Sequence, residues 1–106
     1  MVTRGEIWLT ALDPVVGSEI RKTRPCLVVS PAEMHDHLRT VIVAPMTTKA
    51  QPMPFRVRIV FQGATGTILL DQVHTLDKAR LLRRLGKASP KTVRDTLAVL
   101  QAVFSP

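Results

Sequence analysis

The segment from Phe55 to Phe61 shows the clearest alternation in the chain, and it constrains the fold most. Every second residue of this segment is apolar, while Arg56 and Arg58 fall on the opposite face. A period of two predicts a β-strand with one buried face and one solvated face. Because such a strand needs neighbours, the chain must build a sheet.

Other short apolar runs supply the neighbouring strands. Each run is bounded by turn signals such as Asp13-Pro14 or the glycines of the segment 62–66, which is predicted as a turn. The runs 26–30 and 40–46 lack polar alternation, as expected for strands covered on both faces. Strands are predicted over 5–12, 26–30, 40–46, 67–73 and 82–85, with loops over 15–23 and 47–54 and a single helical turn over 76–81.

Two helices are predicted from a serine followed by proline. Ser30-Pro31 with Glu33 has the spacing of a capping box and predicts a short helix to about residue 38. Ser89-Pro90 predicts the start of a second helix near the end of the chain. An apolar stripe on that helix is expected to pack on the sheet, with packing on a partner as the alternative, and consists of Val93, Leu97, Leu100 and Phe104.

A chain of 106 residues has room for one domain, here 1–106. Several short strands with one terminal helix favour a mainly β fold, a small and strongly bent antiparallel sheet or barrel. No apolar run approaches the roughly 18 residues of a membrane span, and the start of the chain lacks the apolar core of a secretory signal. The lone Cys26 lies in an apolar run and is expected to be buried. We therefore expect a cytoplasmic protein that does not bind membranes.

Charge points to a polyanionic partner. Fifteen lysines and arginines against eight acidic residues give a net charge of +7, which suits nucleic acid or an acidic protein. Basic residues cluster over 21–24 and again over 78–94. A solvated surface is the alternative explanation for the second cluster.

Signatures of metal or cofactor chemistry are missing from the sequence. There is no phosphate-cradling glycine loop, no HExxH motif and no cysteine pair for zinc. His35 and His37 are two residues apart, which separates them on a helix, so we expect exposed or capping side chains. The sequence therefore predicts no metal and no cofactor.

Arg24 and Thr47 are the strongest candidates for chemistry. Arg24 precedes a proline, which holds its backbone extended, and Thr47 follows an apolar strand. If the two strands are neighbours, both side chains face one pocket, where an arginine can hold a phosphate in two hydrogen bonds. The alternative is that Arg24 pairs with Glu19 or Asp71 and that Thr47 binds backbone in a turn.

Three ordered motifs resemble the MazF/PemK family of toxin endoribonucleases. The first comprises Arg4-Gly5-Glu6-Ile7-Trp8, Leu12-Asp13-Pro14, Val16-Gly17-Ser18-Glu19-Ile20 and Thr23-Arg24-Pro25. The second is Val41-Ile42-Val43-Ala44-Pro45-Met46-Thr47-Thr48, and the third is Leu70-Asp71-Gln72-Val73 with Thr75, Asp77 and Arg80. The family often has Gln where this chain has Ile20, and Lys or Arg where it has His74.

The resemblance implies an SH3-like β-barrel with a C-terminal helix, assembled as a homodimer and inhibited by a MazE-like antitoxin. It implies metal-independent, sequence-specific cleavage of single-stranded RNA, mRNA among it, with Arg24 and Thr47 as the catalytic core and Glu19 implicated. The hypothesis is that the RNA 2′-hydroxyl attacks the neighbouring phosphate, leaving 2′,3′-cyclic phosphate and 5′-hydroxyl ends. The proton acceptor is left open between Glu19 and His74. Further residues expected to contact RNA are Ser18, Arg21, Lys22, Lys49, Arg56, Gln72 and His74.

Two alternatives belong to other functional classes. A toxin of the CcdB branch has the same barrel and poisons gyrase by binding, without catalysis. The tail of this chain, Val103-Phe104-Ser105-Pro106, lacks the aromatic end expected for that mode. A plain SH3-like module would bind RNA and leave it intact.

Overall fold

The structure is a computed structural model that describes residues 1–12, 17 and 22–106. The described residues form seven strands, two α-helices and two 3-10 helices. In chain order these are β1 (Glu6–Ala11), β2 (Thr23–Val28), α1 (Ala32–His35), β3 (Thr40–Thr47), β4 (Arg56–Phe61), β5 (Ala64–Leu69), a 3-10 helix (Leu70–Gln72), β6 (His74–Asp77), a second 3-10 helix (Lys78–Arg80), β7 (Leu81–Lys87) and α2 (Pro90–Val103).

All described strand pairs are antiparallel, in the order β4-β5-β3-β2-β1-β7, and β6 also pairs with β3. β3 is the branching strand: Thr40–Val43 pair with β6, and Met46–Thr47 pair with β5. The sheet curls until its two outer strands, β4 and β7, come into contact. Their closeness is seen at Gly86 of β7, where an added Cβ would lie 3.1 Å from the Phe61 ring of β4. The predicted mainly β fold, with a strongly bent antiparallel sheet and a C-terminal helix, is confirmed.

Apolar side chains pack on both faces of the central strands. One cluster, which includes Ile7, Leu27 and Ile68, packs against α2. The other lies on the opposite face and includes Cys26 and Val43. This explains why the runs 26–30 and 40–46 lack polar alternation. Cys26 is buried as predicted, and burial raises the pKa of its thiol to about 12.

The prediction for His35 was wrong, because its ring is fully buried. Nδ1 lies 2.8 Å from the Ser30 hydroxyl, and Nε2 lies 2.7 Å from the Val2 carbonyl oxygen. The Ser30 oxygen also accepts from the Ile42 N–H at 3.1 Å. Ser30 is thus bonded to β3 and to the imidazole instead of capping α1, so the predicted capping box was wrong too. α1 ends at His35, well before residue 38, and His37 is exposed as expected.

Strand boundaries after β4 also differ from the prediction. Gln62 and Gly63 both have positive φ, 52° and 77°, as the two-residue turn of a tight hairpin requires. β5 therefore begins at Ala64, inside the segment predicted as a turn. The strand predicted to reach residue 73 ends at Leu69, where a 3-10 helix begins. Residues 74–77, predicted to include the start of a helical turn, form β6.

α2 begins as the sequence predicts, with the Ser89 hydroxyl oxygen accepting from the Thr92 N–H at 3.1 Å. Val93 and Leu100 pack against the core as expected. Phe104 does not: it follows the helix and is 75% exposed. Among the described residues, no helix has the length and apolar character needed to cross a membrane.

Thr96 is buried on α2, and its hydroxyl has no hydrogen-bond partner among the described residues. Since an unbonded buried hydroxyl is costly, Thr96→Val is expected to raise the free energy of unfolding by about 1 kcal/mol. Urea unfolding measures this change. Thr96→Ser, which keeps the hydroxyl and removes the methyl group, is the matched control and should destabilise. A destabilising Thr96→Val would show that the hydroxyl is bonded in solution.

Candidate active site

The pairing of β2 with β3 brings Arg24 and Thr47 together. The register matches Cys26 with Pro45 and Val28 with Val43. Its continuation by two residues sets Arg24 opposite Thr47. Opposed residues in an antiparallel pair point to the same side of the sheet, with Cβ atoms about 5 Å apart. The two strands are therefore neighbours, as the shared pocket required.

Arg24 and Thr47 line one open cleft of ≈ 240 Å³. Its polar end is formed by these two residues and Thr48, and its remaining wall is largely apolar. The other lining residues are Pro25, Met46, Ile59, Phe61, Gln62, Ala64 and Gly66. Sequence reasoning missed the contribution of Gln62, although its place in a Gln-Gly turn was the available signal.

Thr47 is oriented by the loop that follows it. The Lys49 N–H donates to the Thr47 Oγ1 at 3.2 Å. This bond uses an acceptor position of the hydroxyl and leaves its hydrogen to donate. Thr47 is half-buried at the last position of β3. The hydroxyl is thus placed as a donor at the edge of the cleft.

Arg24 is held by its backbone at the start of β2. It precedes Pro25, pairs with the buried Thr10 of β1, and its carbonyl oxygen accepts from the Cys26 thiol at 3.7 Å. The residue is half-buried. A fixed backbone limits the positions that the guanidinium can reach, which favours recognition of a phosphate over loose attraction.

Arg56 is bonded within the protein instead of being open to solvent. Its Nε and Nη2 donate to the two carboxylate oxygens of Asp71, each at 3.0 Å, and its Nη1 donates to the Gln51 carbonyl oxygen at 3.1 Å. The side chain is 17% exposed. Asp71 therefore binds Arg56, whereas the alternative considered from sequence paired it with Arg24. Contact of Arg56 with RNA would have to use the N–H donors that these three bonds leave.

The Arg56–Asp71 pair makes stability depend on pH. Hydrogen bonds from the Arg56 guanidinium, opposed by partial burial, lower the pKa of Asp71. A carboxyl with a lowered folded pKa stabilises the fold above its unfolded pKa, about 3.9, and loses that contribution as pH falls through the folded value. Asp71→Asn should therefore lower the urea midpoint at pH 7, and the deficit should shrink in acid. If Asp71→Asn lowered the urea midpoint equally at pH 7 and in acid, the Arg56–Asp71 pair would not be the source of the pH dependence.

The other predicted RNA contacts either are not among the residues that line the cleft or lie outside the described residues. His74 pairs with Val43, four residues before Thr47 on β3, and its Nδ1 lies 2.8 Å from the Gln72 carbonyl oxygen. Lys22 and Lys49 are exposed, and Gln72 is half-buried in the first 3-10 helix. Outside the described residues lie Ser18, Glu19 and Arg21.

No group of three or more histidine, cysteine or acidic side chains that could hold a metal occurs within the described part of the chain. What the cleft offers is a guanidinium and a hydroxyl donor beside an apolar wall. Such a site can bind a phosphate oxygen and stabilise added negative charge on it.

Residues 3–104 match the family model of PemK-like, MazF-like toxins of type II toxin–antitoxin systems. The chain belongs to this family. Membership covers nearly the whole sequence and confirms the family predicted from the three motifs.

Individual relatives agree with the PemK/MazF assignment. The chain is similar to endoribonuclease PemK of Escherichia coli, with 36% identity over 96% of this chain and 81% of that protein. It superposes on the crystal structure of MazF from Deinococcus radiodurans with a TM-score of 0.85 and 26% identity, over 96% of this chain and 94% of that one. A MazE-MazF crystal structure from the same organism matches with a TM-score of 0.73 and 26% identity, over 96% and 94% of the two chains.

Proposed function

We propose that this PemK/MazF-family toxin is a metal-independent endoribonuclease that cleaves single-stranded RNA, mRNA among it, and so inhibits translation and growth. The observation that carries the proposal is the meeting of Arg24 and Thr47 at one cleft. Family membership supports the activity, since the similar Escherichia coli protein is named an endoribonuclease.

The proposed reaction needs no external nucleophile. The ribose 2′-oxygen attacks the adjacent phosphorus, forming a 2′-O–P bond while the P–O5′ bond breaks. The products are a 2′,3′-cyclic phosphate and a 5′-hydroxyl end. Since the nucleophile belongs to the substrate, the protein contributes mainly orientation and charge stabilisation. Arg24 binds the non-bridging phosphate oxygens, and the Thr47 hydroxyl donates a hydrogen bond to one of them.

Proton transfer requires a further group. A free arginine has a pKa above about 12, which makes Arg24 a poor base near neutrality. We assign Glu19 as the acceptor of the 2′-hydroxyl proton, and the departing 5′-oxygen takes up a proton from water. His74 is less suitable, because it pairs with a part of β3 remote from Thr47 and does not line the cleft.

The proposal includes two protein partners, a second copy of the chain and an acidic, MazE-like antitoxin, all acting in the cytoplasm. The net charge of +7 favours acidic segments on the antitoxin. The similar MazE-MazF structure from Deinococcus radiodurans supports such a complex. Homodimer formation is expected from the family resemblance and is measurable by sedimentation.

Incubation of purified protein with long single-stranded RNA in EDTA tests the proposed function. Discrete fragments with 5′-hydroxyl ends are expected. RNA that is bound but intact would instead favour a non-cleaving SH3-like module. Intact RNA with inhibited gyrase would favour a CcdB-like toxin.

A further inference from the structure

A polar row on one face of the sheet begins at Arg24 and Thr47 of the candidate active site and continues past the residues that line the cleft. Arg58 of β4 pairs with Thr67 of β5, and Thr67 pairs with Thr47 of β3. The β2–β3 register then continues the row to Arg24. Because directly opposed residues point to the same side, all four side chains emerge from one face of the sheet.

Burial falls along this row from one end to the other. Thr10 of β1, which pairs with Arg24, is fully buried. Arg24, Thr47 and Thr67 are half-buried, and Arg58 is exposed. With adjacent strands about 4.8 Å apart, the backbones of Arg58 and Arg24 are separated by about 14 Å measured along the curled sheet. This span exceeds one nucleotide step, so the two arginines suit different phosphates.

Arg58 differs sharply from Arg56, its neighbour on the same strand face. Arg56 is neutralised by Asp71. The Arg58 side chain has no hydrogen bond or ion pair with any residue in 1–12, 17 or 22–106, and no acidic residue stands in the row. Its positive charge is therefore available to an anion arriving from solvent.

We infer that Arg58 binds an RNA phosphate flanking the scissile linkage, with Thr67 between it and the catalytic pair. This inference rests on the proposed function, since it extends the path of the same RNA strand. Arg58 contacts no reacting atom, so it stabilises bound substrate and transition state equally. Its loss should raise KM and leave kcat unchanged.

Arg58→Gln tests this inference, with Arg94→Gln as the matched control. Arg94 is an exposed arginine on α2 and lies away from the row. The probe is an oligoribonucleotide spanning a mapped cut site, with one 2′-deoxy nucleotide there to prevent cleavage. Loss of one phosphate contact should reduce the log–log salt slope of binding by about 0.7. Affinity at low salt should fall several-fold, and Arg58→Lys should largely restore the slope.

The outcomes separate this inference from the proposed function. If Arg58→Gln and Arg94→Gln have the same salt slope and KM as the wild-type protein, and that protein still cuts RNA, the assignment of Arg58 is overturned. A wild-type protein that neither binds nor cuts RNA would instead contradict the proposed function. A fall in kcat and Tm without a slope change would mark Arg58 as structural, which also overturns the assignment.

Discussion

Replacing Arg24 with alanine is expected to lower kcat for RNA cleavage by about 10²- to 10³-fold, the usual cost of removing one preorganised donor to a developing negative charge. The backbone of the arginine is held by strand pairing to Thr10 and by the proline that follows it, so the guanidinium starts from a fixed point at the cleft before substrate binds. Single-turnover cleavage of a 5′-labelled RNA in EDTA measures the effect. Arg24→Lys should recover only part of the rate, because an ammonium lacks the planar two-donor geometry.

Two controls make the Arg24 result decisive. Arg94→Ala removes the same charge from the exposed surface of α2 and should retain near-wild-type kcat. Thermal unfolding should show that Arg24→Ala remains folded. Near-normal cleavage by a folded Arg24→Ala protein would remove Arg24 from the mechanism.

The largest expected effect on stability comes from Ile68→Ala. Ile68 is fully buried on β5, where it pairs with Met46 of β3 and Val57 of β4. Truncation removes buried methyl groups and leaves a cavity that the two paired strands cannot readily fill. The free energy of unfolding should fall by about 3 kcal/mol. Urea unfolding at constant m-value measures the loss.

Val60→Ala is the matched control for that substitution. Val60 lies on β4 and is 75% exposed, so its truncation should change the unfolding free energy by less than about 0.5 kcal/mol. If Ile68→Ala and Val60→Ala lowered the unfolding free energy equally, the burial of Ile68 in the core would be contradicted. Since Ile68 follows Thr67 on β5 and opposes Met46, loosening it should also disturb the end of β3 that carries Thr47.

The sequence was sufficient to predict the mainly β architecture, whereas a shared pocket for Arg24 and Thr47 was predicted only on the condition that their strands are neighbours. The alternation at Phe55–Phe61 indicates a strand with one buried face, and the apolar runs 26–30 and 40–46 indicate strands buried on both faces. These patterns depend on residues close together in sequence, so they can be recognised without a structure. The pre-proline position of Arg24 and the strand-end position of Thr47 are likewise local. Their shared cleft then follows from the antiparallel pairing of consecutive strands.

Features set by contacts distant in sequence were not predictable. Whether Arg56 or Arg58 stays open depends on Asp71, which reaches Arg56 across 15 residues of sequence. His35 is buried because the Val2 carbonyl, 33 residues away, bonds its ring. Phe104 continues the helical spacing but lies beyond the end of α2, so periodicity overestimated the buried stripe.

The position of the scissile phosphate tests the account most directly. A crystal structure of the protein with an RNA carrying one 2′-deoxy nucleotide at the mapped cut site would locate it. One non-bridging oxygen of that phosphate is expected within about 3 Å of both an Arg24 guanidinium nitrogen and the Thr47 hydroxyl. A phosphate bound at another surface, with Arg24 and Thr47 contacting only protein, would contradict it.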